Sequence, residues 1–511
     1  MLTTIRTIRL CGIEAVPAVV EVEVFDNSIG IHLIGLHSEE TRCSLLRTVT
    51  ALQAKGFRIP GKKVVINIAP SDSSKDAVSY DLPIALTLAA ASGQVTLPDV
   101  GKYVVVGELG LDGSVRPVPG AVQAVEYARS AGMKCIIPRG NAVEVTRVFG
   151  DGVPVFAVGS LQDALDVFGG SYTRSAHEIA EEYYGRVQSV PPVGAEAWNR
   201  LAGLDMACRA LEIAAAGGHH MLLSGPDGGV RTLVSEALVH LLPPASDSEK
   251  LEIAKVHSAA GLGPDRSECL CERPYRPVLS DASLAYLFGG GSGSRLLPGA
   301  VSLASGGVLF LDDVVNSPRS VTESLRSVLE DRKVVLSRLH AKAEFPADFQ
   351  LVLGMAPCPD SYGAERRKAY MSRLPGALLD RVGIQLAVHS PESGASGPAE
   401  PIGSVRDRVF AARKRQEVRY AGLDYSTNDR VPSRELERFC PMEPGCDGLI
   451  GKLITGLGLS ARAYSWILRI ARTIADLEGS ELLKAGHLSE AASFRFLDRI
   501  RQGDESAAAT A

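Results

Sequence analysis

Apolar and polar residues follow regular patterns along the first 170 residues of the chain. Residues 18–25 show the period of two that is typical of a strand, and residues 40–55 carry apolar side chains at helical spacing as far as Gly56. Further strands are predicted at 63–68, 103–106, 134–137 and 155–158, with a buried helix at 83–90. This mixture predicts an α+β domain over residues 1–170.

Changes in composition divide the rest of the chain. Residues 171–190 are polar and predict a linker, and residues 191–390 again combine apolar strands with helices. Residues 388–403 are rich in Pro, Gly and Ser, which is typical of a connector. A helical region is predicted at 404–501, followed by a flexible tail at 502–511. The predicted fold class is therefore a multidomain α/β protein.

The stretch 219–232 reads as a buried strand, a Gly-rich turn and a helix. This layout is typical of the phosphate-binding P-loop, whose pattern is Gly, four residues, Gly, Lys and Ser or Thr. Two positions depart from the pattern, because Val230 replaces the second Gly and Arg231 replaces the Lys. The candidate nucleotide-binding residues are Gly225, Pro226, Asp227, Gly228, Gly229, Val230, Arg231 and Thr232.

These two replacements put the loop's chemistry at risk. A β-branched Val at positive φ would cost about 1–2 kcal/mol or more. Arg keeps the positive charge of Lys but is a larger, planar fork, so the exchange is not conservative. By itself the octapeptide is equally consistent with an ordinary strand–turn–helix of an α/β domain.

A second motif favours the nucleotide site. Residues 304–313 form an apolar strand that ends in Asp312 and Asp313, the arrangement called Walker B. In such a site Asp312 would hold Mg²⁺ through water, together with Thr232 of the P-loop, and Asp313 would take the place of the Glu that polarises the attacking water. Asp is one methylene shorter than Glu. The alternative is a core strand that ends in an acidic turn.

Composition excludes several classes of protein. The chain has 511 residues, 45% hydrophobic and 22% charged, with a net charge of −5, so no global basic field attracts nucleic acid. It has no apolar run of about 18 residues and no signal-peptide core, so we expect a cytoplasmic protein without a membrane span. Of its 9 cysteines only Cys269 and Cys271 are close in sequence, so reduced thiols are favoured over a metal site.

Several motifs of the first domain carry a family resemblance. The stretches 65–70, 80–86 and 107–118 resemble the Lon-protease-like domain at the front of the magnesium-chelatase-like AAA+ proteins of the ComM/YifB type. By this resemblance Ser79 falls near the place of the protease nucleophile. The place of the dyad Lys holds Val122 or Gln123. A hydroxyl without a base is a poor nucleophile, so peptidase activity is not expected.

The same resemblance assigns roles further along the chain. Residues 329–351 match the hairpin that such motors direct into a central pore, and Ala356 stands where the family has a sensor Asn. Arg381 matches the arginine finger offered to the neighbouring subunit's nucleotide, although an ion pair such as one with Asp380 is the alternative. Arg462 is the second sensor that the resemblance favours, with Arg469 and Arg472 as rivals.

One helical stretch is strongly basic. Each cation of residues 405–419 could neutralise a phosphate of a nucleic acid, or the run could be a solvated helix face. The basic residues are Arg406, Arg408, Arg413, Lys414, Arg415 and Arg419.

The resemblance covers nearly the whole chain and implies its function. It implies a Lon-like non-proteolytic domain, an AAA+ P-loop core and a helical lid, with ATP and Mg²⁺ as cofactors. The expected partners are further copies in a hexameric ring, single-stranded or branched DNA, and an active paralogue. We expect an ATP-binding protein of DNA remodelling or branch migration with weak or lost hydrolysis. A non-catalytic scaffold assembling with an active family member is the alternative, and a metal-chelatase subunit is disfavoured by the Lon-like front.

Overall fold

The computed structural model describes most of the chain. The described residues are all except 1, 27–28, 35–38, 71–77, 187–192, 227–228, 263–272, 292–295, 339–340, 359–361, 363, 375, 390–399, 447, 449–460, 496 and 498–511.

A seven-stranded mixed sheet, here called the N-terminal sheet, occupies the first part of the chain. Its strand order is β3-β4-β2-β1-β5-β8-β9, with β2 antiparallel to both β1 and β4 and the other pairs parallel. A separate short hairpin is formed by β6 and β7. The strands are β1 Thr3–Cys11, β2 Glu14–Phe25, β3 Gly30–Ile34, β4 Lys63–Ala69, β5 Tyr103–Val105, β6 Glu108–Leu109, β7 Val115–Arg116, β8 Lys134–Pro138 and β9 Val155–Val158.

Helices cover this sheet, whose strands β5, β8 and β9 are buried at nearly every residue, whereas β2 alternates buried with partly exposed residues. In β2 the residues Ala18, Val20 and Val22 are buried, which follows from the period-two pattern of the sequence. A capping box between Ser160 and Asp163 fixes the start of α5. The helices of this part are α1 Glu39–Ala54, α2 Asp81–Ala91, α3 Ala121–Ser130, α4 Ala142–Phe149, α5 Leu161–Gly169 and α6 Ala176–Arg186.

Helix α6 lies inside the stretch that the sequence predicts to be a linker. It packs against α4 and β9, and buries Ala176, Ile179 and Ala180. The polar composition of residues 171–190 does not reveal this helix, because three small or medium apolar residues on one face suffice to dock a short helix.

A five-stranded sheet, here called the parallel sheet, forms the middle of the chain. Its order is β11-β14-β17-β10-β18, and every neighbouring pair is parallel. All residues of β10, β14 and β17 are buried, as expected of strands covered on both faces. The strands of this part are β10 Met221–Ser224, β11 Tyr275–Val278, β12 Gly289–Gly290, β13 Leu297–Pro298, β14 Val308–Leu311, β15 Lys333–Arg338, β16 Ala341–Pro346, β17 Gln350–Met355 and β18 Ile384–Ala387.

The remaining elements of the middle part are helices and two short hairpins. Strands β15 and β16 pair antiparallel, which confirms the predicted hairpin within 329–351, and β12 pairs with β13. The helices are α7 Val193–Asn199, α8 Asp205–Gly217, α9 Val230–Leu241, α10 Asp247–Ala259, α11 Leu284–Phe288, α12 Ala300–Leu303, α13 Arg319–Asp331, α14 Ala364–Ser372 and α15 Gly376–Leu379.

The C-terminal helices pack on α8 and on the edge of the parallel sheet where its strands begin. Their docking is polar: the His219 Nε2 atom lies 2.8 Å from Thr473 Oγ1, and the Asn428 side chain donates to Thr473 and to the fully buried Asp476. The four described helices are α16 Ile402–Arg419, α17 Leu436–Phe439, α18 Ala461–Glu478 and α19 Ala485–Ser493.

Candidate functional site

The parallel sheet brings the predicted P-loop and Walker B residues together. Gly225 follows β10, Asp312 follows β14 and Ala356 follows β17. Because the three strands are adjacent and parallel, all three residues lie at the edge of the sheet where the strands end. A ligand bound at this edge faces the start of α9, as nucleotides do in open α/β sheets. We call this edge the P-loop edge.

The replacement of Gly by Val230 is tolerated without backbone strain. Val230 is the first residue of α9 and is 9% exposed, while the left-handed conformation falls on Gly229, with φ of 86°. The cost expected for a β-branched residue at positive φ therefore does not arise. Gly225 has its own reason to be Gly, because a Cβ there would stand 2.7 Å from the carbonyl oxygen of Val388. The predicted loop residues Asp227 and Gly228 lie outside the described residues.

Arg231 points inward and ties the two motifs together. Its Nε and Nη2 atoms donate to the two oxygens of Asp312 over 2.9 and 3.2 Å. Its Nη1 atom donates to the carbonyl oxygens of Gly225 over 2.6 Å and Met355 over 3.3 Å. The side chain is only 5% exposed. A guanidinium fork suits this bidentate arrangement, which a Lys ammonium could not reproduce.

The backbone around Asp312 holds its carboxylate in place. The Asp313 N–H donates to Asp312 Oδ1 over 2.9 Å. A Cβ at Gly354 would lie 2.2 Å from that oxygen, so only Gly on β17 leaves room for it. Sequence reasoning missed Gly354, whose signal is a lone Gly inside an otherwise apolar strand.

Mg²⁺ does not fit this arrangement at Asp312. A hydrated Mg²⁺ is held through carboxylate oxygens, often by way of its water ligands. Arg231 donates to both oxygens of Asp312, so a cation there would lie beside an existing positive charge and would compete with that pair. The other predicted ligand, Thr232, is exposed on α9. The metal role of Asp312 stays a prediction, and its pairing with Arg231 disfavours it.

The residues at the two positions that would orient the attacking water, Asp313 and Ala356, make other contacts. Asp313 has φ of 53°, and its Oδ2 accepts from Asn316 Nδ2 over 2.7 Å. Ala356 has no polar side chain, and its carbonyl oxygen accepts from the Tyr370 hydroxyl over 2.7 Å. Tyr370 is not among the residues predicted for the site. Burial, followed by the charge of Asp313, raises the pKa of this Tyr370 hydroxyl.

The predicted arginine finger and second sensor lie together at the opposite edge of the sheet. Arg381 precedes β18, where it pairs with Glu330 and is 43% exposed. Arg462, at the start of α18, pairs with Asp380 and is 74% exposed. Both line a cavity of about 670 Å³ between the parallel sheet and the C-terminal helices. Arg381 is therefore in an ion pair, as the alternative expects, but its partner is Glu330. Asp380 pairs with Arg462 instead. We call this edge the arginine edge.

The two rival sensors serve the packing of the C-terminal helices. Arg469 donates to the Val431 carbonyl oxygen over 3.0 and 2.8 Å, and its guanidinium lies over the Trp466 ring. Arg472 is 2% exposed and donates to Asp476 and to the Glu481 carbonyl oxygen. Arg462 is therefore the most accessible of the three candidates for the second sensor.

The basic helix α16 uses part of its charge for packing and leaves part of it exposed. Arg408 pairs with Glu212, and Arg413 donates twice to the Ala215 carbonyl oxygen, so both fasten α16 to α8. Arg419 pairs with the buried Asp476. Arg415 donates to the Asp476 carbonyl oxygen, so four of the six cations make contacts within the fold, while Arg406 and Lys414 are exposed.

The residues at the place of the protease dyad contact the middle part of the chain instead. The Gln123 side chain is buried and donates to the Lys255 carbonyl oxygen over 2.8 Å. The Val122 N–H donates to the Ser258 hydroxyl over 3.4 Å. Ser79 is half-buried, and its carbonyl oxygen accepts from the Gly107 N–H. The place of the dyad Lys therefore holds the Gln123 amide, which contacts the middle part of the chain, and not a basic group.

The described residues contain neither a metal-binding cluster nor a membrane-spanning helix. Among the described residues, no group of three or more His, Cys, Asp and Glu side chains is arranged to hold a metal ion. Cys269 and Cys271 lie outside that part of the chain. No described helix is both long enough and apolar enough to cross a membrane.

Family models match three successive stretches. The model of the magnesium chelatase subunit ChlI matches residues 197–395, which contain the parallel sheet. A second model of subunit ChlI of Mg-chelatase matches residues 20–141, and the model of the ChlI C-terminal part matches residues 399–495.

Curated relatives resemble the chain over its whole length. YifB of Salmonella typhimurium, described as uncharacterized, is 34% identical over 511 residues, 98% of both chains. The competence protein ComM of Haemophilus influenzae is 34% identical over 503 residues, 96% of this chain and 97% of the relative. A shorter match, 30% identical over 131 residues, covers 25% of this chain and 27% of the DNA repair protein RadA of Escherichia coli. The three models and the full-length identity show that this chain belongs to the magnesium-chelatase-like family, together with YifB and ComM.

Proposed function

We propose that this chain is a ComM-like AAA+ protein that binds ATP between the subunits of a ring, with weak or lost hydrolysis, and that it acts in DNA remodelling or branch migration in the cytoplasm. The observation that carries the proposal is the separation of the two halves of the site. The P-loop and Asp312 lie at one edge of the parallel sheet, and Arg381 and Arg462 lie at the other.

This separation favours a site shared by two subunits. The arginine edge of one chain can meet a nucleotide only at the P-loop edge of another copy, so a ring completes each site. A hexamer is the ring expected from the family resemblance. The exposed guanidiniums of Arg381 and Arg462 would then approach the phosphates, which such forks recognise by paired hydrogen bonds.

The P-loop edge supports nucleotide binding more than hydrolysis. Phosphoryl transfer depends on positioned water and charge, so each lost orienting group lowers the rate by orders of magnitude. Ala356 has no side-chain donor or acceptor, and the Asp313 carboxylate is engaged by Asn316. ATP turnover should therefore be slow or absent.

The proposed link to DNA rests on the names of the relatives and on the hairpin. ComM is named a competence protein and RadA a DNA repair protein. Because α16 uses most of its charge internally, the hairpin of β15 and β16 is the better DNA contact. Its Arg338 and Lys342 are exposed. Single-stranded or branched DNA is the expected ligand.

The test is phosphate release by the purified chain, alone and with single-stranded or forked DNA. Nucleotide binding is measured in parallel by calorimetry. We expect clear binding and phosphate release far below the median enzyme turnover of about 10 s⁻¹. The Arg381→Ala variant should leave binding by isolated subunits unchanged and weaken ATP-dependent assembly. Absence of nucleotide binding would contradict the proposal.

A second function is favoured by the pairing of Arg231 with Asp312. The pair already satisfies the groups that would meet phosphate and metal, so the chain could be a scaffold that assembles with an active paralogue. Mixed rings with an active family member, without nucleotide binding by this chain, would support it. Rings of this chain alone that form only with ATP would exclude it.

A further inference from the structure

The contacts of Arg231 bear on which form of the nucleotide the site accepts. Its guanidinium occupies both carboxylate oxygens of Asp312 and is anchored by the carbonyl oxygens of Gly225 and Met355, at the ends of two central strands. The side chain is nearly buried. Displacing it would leave a charged group and two carbonyl oxygens without their partners, which is costly.

The surroundings of Asp312 fix this pair further. The Asp313 N–H and the missing side chain of Gly354 hold the carboxylate in the orientation that meets the guanidinium. Arg231 follows directly on the first residue of α9, so its backbone cannot withdraw without unwinding the start of that helix. The cation at Asp312 is therefore part of the chain itself.

We propose that Arg231 replaces the divalent cation at Asp312, so that this chain binds nucleotide independently of Mg²⁺. The inference rests on the proposed nucleotide-binding function and adds the form of the ligand, a metal-free nucleoside di- or triphosphate. The positive charge that the phosphates meet beside Asp312 is then that of the guanidinium, whose fork stays on the carboxylate. Lys at this position would present one ammonium group and leave an oxygen of Asp312 available to a hydrated metal ion.

The experiment is calorimetric titration of the full-length chain with ADP and ATP, once in excess Mg²⁺ and once in EDTA. We expect the two Kd values of the wild type to agree within about twofold. In Arg231→Lys we expect binding in Mg²⁺ to be tighter than in EDTA by at least about tenfold, because Asp312 becomes available to the metal. The matched control, Arg319→Lys, changes an arginine that is 89% exposed and should keep the wild-type ratio.

The outcomes separate this inference from the proposed function. Wild-type binding that weakens more than about tenfold in EDTA overturns the inference and leaves nucleotide binding intact. If Arg231→Lys binds nucleotide with the same Kd in Mg²⁺ and in EDTA, the role given to Arg231 is overturned. No binding in either buffer overturns both proposals. Because the wild-type comparison needs no variant, a folding defect in Arg231→Lys does not remove the test.

Discussion

Removing the carboxylate of Asp312 should destabilise the parallel sheet, because the buried Arg231 loses the two hydrogen bonds that it donates to that carboxylate. Breaking a fully buried ion pair from one side costs about 3–5 kcal/mol. Asp312 is 23% exposed, and Arg231 keeps the carbonyl oxygens of Gly225 and Met355, so both facts reduce the cost. We expect Asp312→Ala to cost about 2 kcal/mol of unfolding free energy.

The assay is thermal unfolding followed by circular dichroism. For a cooperative unit of about 150–250 residues, a loss of about 2 kcal/mol in unfolding free energy corresponds to a fall in Tm of roughly 4–8 °C. Asp247→Ala is the control, because Asp247 forms an ion pair with Lys250 while its side chain is 100% exposed, and we expect no measurable change. The double variant Arg231→Leu with Asp312→Leu should be more stable than Asp312→Ala, because no buried charge is left unpaired.

Two results would refute this reasoning. A Tm of Asp312→Ala within about 1 °C of the wild type would mean that the pair contributes little. A double variant less stable than Asp312→Ala would mean that the guanidinium is satisfied without its carboxylate.

Further expected results concern pH, the C-terminal helices and turnover. Burial raises the pKa of Glu144 from 4.5 to about 7, and a carboxyl whose folded pKa exceeds its unfolded value loses stability as the pH rises between the two. Unfolding free energy should therefore fall by about 2–3 kcal/mol between these pH values, and Glu144→Gln should remove that slope in denaturant titrations. Asp476→Ala removes a fully buried acceptor of three side chains and should lower the stability of the C-terminal helices by about 3–5 kcal/mol in thermal unfolding. Val230→Gly with Arg231→Lys should leave phosphate release low, and adding Ala356→Asn should raise it by at least about tenfold.

Local patterns predicted much of the fold. The alternation in 18–25 and the apolar runs at 63–68 and 134–137 lie within strands, and the hairpin of 329–351 forms as expected. These elements are set by hydrophobic periodicity, which is a local property. The P-loop and Walker B motifs were predicted to form one site, and the parallel sheet places their strands close together.

The chemistry of the site depended on contacts between distant residues. Arg231 and Asp312 are 81 residues apart, and nothing in either motif shows that they pair. The conformational cost expected at Val230 does not arise, because the residue with positive φ is Gly229, one position earlier. The basic run of α16 looks solvent-facing by composition, yet Arg408, Arg413 and Arg419 bind carbonyl and carboxylate groups of other helices. Such pairings are tertiary and leave no local signal.

The central claim is that the P-loop edge holds ATP while the groups that would orient the attacking water are replaced. A single-turnover measurement tests it directly. The chain, in excess over labelled ATP, is incubated with forked DNA, quenched at intervals, and the bound nucleotide is separated. The account predicts that the bound label is recovered as ATP after many seconds. Conversion of most of it to ADP within about one second, a turnover ordinary for enzymes, would contradict the account.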